Sequence, residues 1–357
     1  MFPAPIGGLA LPSEFGACIL FAALYGLLFP LVLYRVYDRR SRTFLLLGTC
    51  LTVVDRTVLF SFRAASTQRA NLQLSDGLLK YSQISFGLGA ISIANDLVNL
   101  LRCLLVNPTY GYGEAGRADE APMAHTKDSA FAPPREGDVD RPQERRRARR
   151  FCFILGMSFL AANVPGIIAG GMFQKKNFGK EHEANRVASL RYASAAVSLF
   201  LASIITLAAA WSRKYQPRAC HKAINTTFAL TFLAGIVGVY RLSVMHHRTP
   251  SLDSTLPGTL NSPGAKASFY VLHIVPEYLA IAILLGFNTR KTFGTGAWGD
   301  WRGQDDGPKL IAKRKERQEK RAAKKAERTI EKAGAMTSIE KGGVTTSIEK
   351  GGVTTSS

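Results

Sequence analysis

Cysteine is scarce in this chain, and none of its five cysteines falls in a stretch that could carry an external disulfide. Cys18 and Cys50 lie inside long apolar runs, and Cys103, Cys152 and Cys220 lie at the basic ends of such runs. Disulfide frameworks belong to oxidising compartments and to chains too small to build a sufficient core. The sequence therefore excludes a disulfide-stapled secreted domain.

Acidic residues are also few: 26 Asp and Glu stand against 46 Lys and Arg, which gives a net charge of +20. Nucleic-acid binding is one explanation of such an excess, because basic faces neutralise phosphates. Here the basic residues are concentrated between the long apolar runs and after the last of them, as in membrane proteins whose basic loops face the cytoplasm. We therefore expect no nucleic-acid partner.

Signals of targeting and catalysis are missing as well. The start, MFPAPIGGLALPSE, has no basic n-region and no small-residue cleavage site, so we expect the first apolar run to be a retained anchor. The sequence has no glycine-rich phosphate-binding motif, and we expect no ATP hydrolysis by the chain itself. We assign no catalytic residue, cofactor or resident metal, and the sequence favours a protein that is not an enzyme.

What the chain has in quantity is apolar runs of about 18 residues or more, long enough to cross a ~30 Å hydrocarbon core as helices. We count seven runs, at 15–34, 43–62, 78–106, 151–173, 189–211, 222–244 and 268–287. The predicted fold class is all-α: a polytopic integral membrane protein built as a seven-transmembrane-helix bundle.

The positions of Lys and Arg predict the orientation of this bundle. The segments 35–42, 107–150, 212–222 and the tail after 288 hold 33 of these residues, whereas the segments on the opposite side hold 8. Because basic loops stay on the cytoplasmic side, we expect the N-terminus outside and the C-terminus in the cytoplasm. The plasma membrane is the expected location, with an endomembrane as the alternative.

The same boundaries divide the chain into four parts. Residues 1–106 carry the first three spans, and residues 151–287 carry spans four to seven. Residues 107–150 are rich in Pro, Gly and charge, which predicts a disordered cytoplasmic loop. Residues 288–357 are basic and end in a repeated TSIEKGGVT, which predicts a largely disordered tail able to contact a cytoplasmic protein partner.

Several ionisable residues interrupt the apolar runs. A charge facing lipid at the bilayer centre costs at least ~2.5–3.5 kcal/mol, so such groups are expected to turn inward and find partners. At ~1.5 Å per residue, the acids of the second and seventh runs lie at similar depths, about 12 and 14 Å below the outer face. We therefore expect an intramembrane cavity that binds a substrate or ligand, lined by Asp55, Arg56, Asp96, Arg241, His273 and Glu277.

The pairing inside this set is a separate prediction. A spacing of four residues places His273 and Glu277 on one helix face. We expect Glu277 to pair with Arg241, and Arg56 to be satisfied by its neighbour Asp55 or by a lipid phosphate. One alternative is that these groups only hold the helices together. Another is a metal-dependent intramembrane hydrolase, which has the weakest support because a single histidine stands beside the acids.

The last two runs are similar to a known family. GVYRLSV (238–244) and FYVLHIVPEYLAIAI (269–283) resemble the aromatic-Arg and aromatic-aromatic-Val patterns of the fungal RTA-like family, seven-span proteins linked to lipid translocation. That family has an acid soon after its Tyr-Arg pair and an Asp where His273 stands; here Glu277 lies one turn later. A related, uncharacterised group of fungal seven-span proteins is the alternative. The resemblance covers roughly the final third of the chain and implies membrane lipids or amphiphiles as partners.

A seven-span receptor or sensor that signals through basic cytoplasmic loops is the alternative to lipid handling. The G-protein-coupled receptors are a poor match, because the end of the third run, LVNLLRCLLVN (97–107), lacks their acid-Arg-aromatic triplet. Their external cysteine pair is missing too. A cavity that opens sideways between helices would favour lipid handling, and a pocket that opens only outward would favour a receptor.

Overall fold

The computed structural model describes residues 1–38, 41–112, 134–216, 218–254 and 259–300, with six separate positions between 312 and 327. The chain divides into two units, residues 1–303 and 304–357. In the second unit the six described positions are helical. The rest of the predicted tail beyond residue 300, and residues 113–133 of the predicted loop, lie outside the described residues.

Within the described residues, seven helical spans are long and apolar enough to cross a membrane, which confirms the predicted all-α, multi-pass architecture. They are Pro12–Tyr37, Phe44–Gln68, Asp76–Thr109, Pro142–Gly171, Glu181–Tyr215, His221–Val244 and Pro263–Gly286. The fourth span begins inside the segment 107–150 that the composition predicts as a loop. Its first residues are mostly Arg and Gln, good helix formers that continue the helix beyond its apolar part.

Several spans consist of more than one helix, and two short strands pair at one end of the bundle. The strands β1 (Phe2–Pro3) and β2 (Arg248–Thr249) are antiparallel. The helices are α1 (Phe15–Gly26), α2 (Phe29–Tyr37), α3 (Leu47–Gln68), α4 (Ala70–Gln73), α5 (Asp76–Val106), α6 (Pro142–Ser158), α7 (Leu160–Gly171), α8 (Glu181–Tyr215), α9 (His221–Val244), α10 (Pro263–Phe269), α11 (Val275–Gly286) and α12 (Thr289–Phe293).

The third span, α5, is the central helix of the bundle. It packs against helices of the second, fourth, fifth, sixth and seventh spans, and it is the most buried of the seven. The outer helices turn large apolar side chains outward, among them Leu27, Phe153, Phe200 and Leu207. Soluble proteins rarely expose so much apolar surface, so this arrangement fits a hydrocarbon environment.

The seventh span contains a wide turn that sets the direction of two polar side chains. A π-helical turn, Tyr270–Ile274, joins α10 to α11. Pro276 follows directly; it has no N–H to donate, and its ring crowds the carbonyl of the preceding turn. Turns of this kind are frequent at functional sites. His273 within it and Glu277 just after it are both buried.

Residues 1–11, here called the N-terminal segment, fold back into the end of the bundle where β1 meets β2. Phe2 stacks on Phe178 at a centroid distance of 4.5 Å. Ile6 exchanges two hydrogen bonds with the side chain of Gln83 on α5, at 2.9 and 3.2 Å. The chain turns through Gly7 and Gly8 with φ of 73° and 58°, a region that glycine adopts without strain. The segment thereby fills the space between the spans at this end.

Candidate functional site

An ion pair buried between α3 and α11 forms the centre of the site. Arg56 donates from Nη2 to Oε2 of Glu277 at 3.0 Å, and from Nε to Oε1 in a second, shorter bond. Both side chains are fully buried. Arg56 Nη1 also donates to Oδ2 of Asp55 at 2.9 Å. The planar guanidinium thus binds one carboxylate with two parallel bonds and a second carboxylate with another.

This geometry corrects the expected partner of Glu277, which is Arg56 rather than Arg241. Arg241, on α9, donates from Nη1 to the carbonyl oxygen of Gly87 on α5 at 2.9 Å. No carboxylate of the described residues forms an ion pair with it within 4.0 Å. A carbonyl carries only a partial charge, so Arg241 leaves an excess of positive charge inside the bundle.

His273 faces the same interior region as Glu277, as their spacing predicts. The two are 3.8 Å apart between Nε2 and Oε2, which is too long for a hydrogen bond. The imidazole is enclosed by Phe86, Tyr240 and Phe269, with centroid distances of 5.8, 5.8 and 5.5 Å. Neither ring nitrogen has a hydrogen-bond partner among the described residues.

Asp96 is not part of this cluster. Its Oδ2 accepts the backbone N–H of Thr49 at 2.6 Å and the Thr49 hydroxyl at 2.8 Å. It therefore satisfies donors of the first turn of α3, which a helix cannot satisfy itself. At ~1.5 Å per residue, about 16 Å of α5 separate it from Ser85, which contacts Arg56. It lies apart from Arg56 but beside Gly48, which lines the groove that Asp55 faces: a Cβ on Gly48 would lie 2.8 Å from Oδ1 of Asp96. A place for Asp96 in a shared cavity stays a prediction.

Asp55 faces a groove that lies on α5 between α3 and α7, with a volume of about 480 Å³. Its side chain is 33% exposed there. The carboxylate also accepts hydrogen bonds from the Tyr81 hydroxyl, at 2.8 Å, and from the Ser85 hydroxyl. Asn95 and Asn163 line the same groove. We call it the Asp55 groove.

The rim of the Asp55 groove is apolar and outward-facing. Leu51 of α3 and Leu160, Val164 and Ile167 of α7 are exposed large hydrophobic residues that line it. These residues lie within the second and fourth spans. The groove therefore opens sideways between helices, at the level of the spans, rather than at an end of the bundle.

A second ionic cluster lies beneath the N-terminal segment. Glu14 accepts from Arg63 at 2.9 Å and pairs with Lys266 at 2.5 Å. Both cations also donate to the carbonyl oxygen of Gly7. The ring of Phe86 lies between the two clusters, 5.5 Å from the Arg56 guanidinium and 6.0 Å from that of Arg63.

The sequence did not indicate this second cluster, because its members lie near the ends of the apolar runs. Charged side chains at such positions usually reach the interface. Arg191, near the start of the fifth apolar run, does not do so: it is buried and donates to the carbonyl of Ala4 at 2.8 Å. Gly7 and Gly8, which let the N-terminal segment turn, are evident in the sequence, but the contacts that the segment makes with the spans are not.

Small residues of α5 that make room for the ion pair were also missed. A Cβ on Gly89 would lie 2.0 Å from Nη2 of Arg56 and 2.8 Å from Oε1 of Glu277. Ser85, one turn earlier, donates to Asp55 and accepts from Arg56. A spacing of four between small residues is the usual signal of close helix approach in membranes. That signal is present in the sequence at Ser85 and Gly89.

Comparison of the chain with family models, with curated proteins and with solved structures found no match. The resemblance of its last two spans to the RTA-like family therefore stays a prediction. Among the described residues, no group of three or more His, Cys, Asp or Glu side chains is placed to hold a metal ion. The candidate functional site therefore consists of the two clusters and the Asp55 groove.

Proposed function

We propose that the protein takes a lipid or another amphiphile from the bilayer through the Asp55 groove and assists the passage of its polar group across the membrane. The observation that carries this proposal is the position of a partly exposed carboxylate inside a groove whose opening lies between spans. An amphiphile dissolved in the bilayer reaches such an opening without leaving the hydrocarbon.

The chemistry of the groove supports an amphiphile with hydrogen-bond donors in its polar group. A carboxylate has about four acceptor positions. Three are occupied by donors from Arg56, Tyr81 and Ser85, which leaves capacity on the open side. Polar groups in hydrocarbon are costly unless they are paired, so an amine or hydroxyl at Asp55 would be stabilised there. The apolar rim would contact the acyl chain.

The buried ion pair links the groove to the seventh span. Arg56 binds Asp55 on the groove side and Glu277 on the far side. A donor that competes for Asp55 therefore weakens one bond of Arg56 and leaves the guanidinium bound to Glu277. Since Glu277 follows the π turn, the seventh span is the element that would respond to a bound amphiphile.

A receptor for a water-borne ligand would need an opening at an end of the bundle. At the end opposite the basic segments, the N-terminal segment occupies the space between the spans, and its carbonyl oxygens are bound by Arg63 and Lys266. This arrangement supports entry from the bilayer rather than from that end.

The test is transport of acyl-labelled probes in liposomes that contain the purified protein. We compare a long-chain amine and phosphatidylethanolamine, which carry donors, with phosphatidylcholine, whose head has none. Donor-bearing probes should cross faster. Loss of a charge-assisted hydrogen bond costs about 1.5–3 kcal/mol, so Asp55→Asn should slow their crossing about tenfold or more.

The matched control is Asp76→Asn, which removes a carboxylate outside the groove that accepts from the backbone N–H of Lys175 at 3.0 Å. It should leave the rate unchanged. Equal rates in wild-type protein and folded Asp55→Asn would contradict the proposal. Binding of the amine probe without any crossing would indicate a sensor instead.

A further inference from the structure

A different cavity lies at the basic end of the bundle, between α6 and α8, with a volume of about 700 Å³. Its floor includes Leu105 and Thr109 at the end of the third span. We call it the α6–α8 groove. It lies toward the opposite end of the fourth span from the residues that line the Asp55 groove.

The α6–α8 groove exists because the fourth span is broken. Its two helices meet at Phe159, and Pro165 in α7 has no N–H to donate to the preceding turn. α7 packs against α8, and a Cβ on Gly166 would lie only 2.9 Å from the Ser194 hydroxyl. α6 packs instead against α5. The fourth and fifth spans are therefore close at one end and separated at the other.

The polarity of the groove changes along its length. Phe151 of α6 and Ile204, Leu207 and Ala208 of α8 form an apolar part, and Leu207 is 69% exposed. Trp211 and Tyr215 follow on α8, toward the basic end. The α8 wall from Ile204 to Tyr215 is about 16 Å long, roughly half the thickness of a hydrocarbon core. Amphipathic aromatic residues at this level are typical of the headgroup region.

The mouth of the groove is cationic. Arg141 and Arg147 of the fourth-span region line it together with one acid, Glu144, whose Oε1 is 3.5 Å from Arg141. The Lys214 ammonium lies 5.3 Å from the ring centroid of Tyr215. Among the described residues that line the groove, two cations thus stand beside one carboxylate, and Lys214 lies next to a third lining residue, Tyr215.

Two neighbouring arginines of α6 face the protein and form ion pairs there. Arg145 binds Asp140 at 2.8 Å, and Arg149 binds Asp300 at 2.6 Å. Arg147, in contrast, lines the groove, and Arg146 and Arg150 are exposed outside its lining.

We propose that the α6–α8 groove binds one anionic phospholipid of the leaflet at the basic end of the bundle. The acyl chains lie along Phe151 and Leu207, and the phosphate lies between Arg141 and Arg147. Arginine binds phosphate oxygens with two parallel bonds. Basic pockets between transmembrane helices hold anionic headgroups in the same way. A soluble protein partner does not fit the apolar part, which lies within the fifth span.

The test is native mass spectrometry of the full chain in detergent, titrated with phosphatidylserine or with phosphatidylcholine of the same acyl chains. Wild-type protein should retain one phosphatidylserine more tightly than phosphatidylcholine. Arg141→Gln and Arg147→Gln should each weaken retention about fivefold, the factor that one basic residue contributes near an anionic surface. Leu207→Trp, which fills the apolar part, should weaken it as well.

Two matched controls separate the groove from surface charge and surface bulk. Arg213→Gln removes an exposed cation from the same end of α8 but outside the groove lining, and Phe200→Trp alters an exposed apolar position outside the groove. Both should retain phosphatidylserine as the wild type does. Equal retention of the two lipids by wild-type protein would overturn the proposal. So would a loss in Arg213→Gln as large as that in Arg147→Gln.

Discussion

At the scale of single residues, Arg56 binds two carboxylates in a region where water is excluded. Its side chain and that of Glu277 are completely buried. Such a pair adds little net stability, because desolvation of both charges offsets their attraction. Removal of Arg56, however, leaves Glu277 buried and unpaired, whereas removal of Glu277 leaves Arg56 with Asp55 as its remaining carboxylate. The ion pair is therefore expected to be far more sensitive to single than to double substitution.

We predict that Arg56→Met lowers the free energy of unfolding by about 3–5 kcal/mol, the usual cost of breaking a buried pair from one side. Glu277→Leu should cost less, because Arg56 then keeps its ion pair with Asp55. The double variant Arg56→Met/Glu277→Leu should recover most of the loss, since neither charge of the pair is then buried alone. Thermal unfolding in detergent measures all three. Losses that simply add in the double variant would show that the two residues are not coupled.

Two glycines of α5, Gly87 and Gly89, allow a sharper test of how closely α5 approaches the ion pair. A Cβ on Gly89 would meet the Arg56 guanidinium, whereas a Cβ on Gly87 would meet nothing within 4 Å. We predict that Gly89→Ala destabilises the protein by about 1–3 kcal/mol, the usual cost of overpacking. Gly87→Ala is the control and should be neutral or gain up to about 1 kcal/mol from helix propensity. Equal unfolding temperatures for the two variants would count against the observed approach of α5 to the pair.

The sequence identified the members of the central cluster better than their contacts. Asp55, Arg56, His273 and Glu277 stand out because charge in an apolar run must turn inward. The partner of Glu277 was wrong because depth along a helix is readable from the sequence, but rotation about the helix axis is not. The contacts of Asp96 with the first turn of α3 were not evident in the sequence either, because they too depend on how two helices face each other.

At the scale of elements, the N-terminal segment is the part of the fold that local pattern could not predict. It has no helical or strand periodicity, and its interactions are long-range: Ala4 donates to the carbonyl of His247 at 2.9 Å, and Leu9 donates to Asn261 at 2.8 Å. Its amides are satisfied by groups far away in the sequence. The segment therefore behaves as an inserted element rather than as a free terminus.

We predict slow hydrogen exchange at the amides of Ala4, Ile6 and Leu9, because each donates to an acceptor inside the bundle. Gln83→Leu removes the acceptor of Ile6 and should speed exchange of the peptide that contains it. Asn71→Ala is the control, since its side chain bonds only locally, to the amide of Leu72 at 3.0 Å. Exchange and mass spectrometry of the N-terminal peptide give the readout. Complete exchange within seconds in wild-type protein would contradict the contacts described above.

The breaks in the spans belong to this scale as well. Pro165 and Pro276 were visible in the sequence as points where a helix loses a hydrogen bond. Their consequences depend on the neighbours: α6 separates from α8 near the first proline, and the π turn directs His273 inward before the second. A proline predicts that a helix will deviate, and the packing of the other spans decides where the space opens.

At the scale of the whole molecule, the number of spans was predictable because it depends on the length of apolar runs, a local property. The two grooves were not predictable from the sequence, since each arises where two helices beside α5 separate from each other. The apolar, exposed rim of the Asp55 groove is the feature on which the proposal of lipid handling depends. Of the six residues expected to line one cavity, Asp55, Arg56, His273 and Glu277 form the central cluster. Arg241 binds the Gly87 carbonyl, and Asp96 caps α3 beside Gly48 of the Asp55 groove.

The orientation of the bundle is the remaining property at this scale, and the charge distribution predicts it. An odd number of crossings puts the two ends of a chain on opposite sides, so the seven candidate spans of the described residues predict this arrangement here. The basic excess of the segments 35–42, 107–150 and 212–222 predicts that these face the cytoplasm. An epitope inserted beside Lys175 and Lys176, exposed residues in the short turn between α7 and α8, should then be labelled by antibody on intact cells. An epitope at the C-terminus should be labelled only after the cells are permeabilised, and permeabilised cells provide the control that both epitopes are intact. Labelling of the C-terminal epitope on intact cells would reverse the predicted orientation. It would also place the α6–α8 groove in the outer leaflet, where its arginines would not meet anionic lipid.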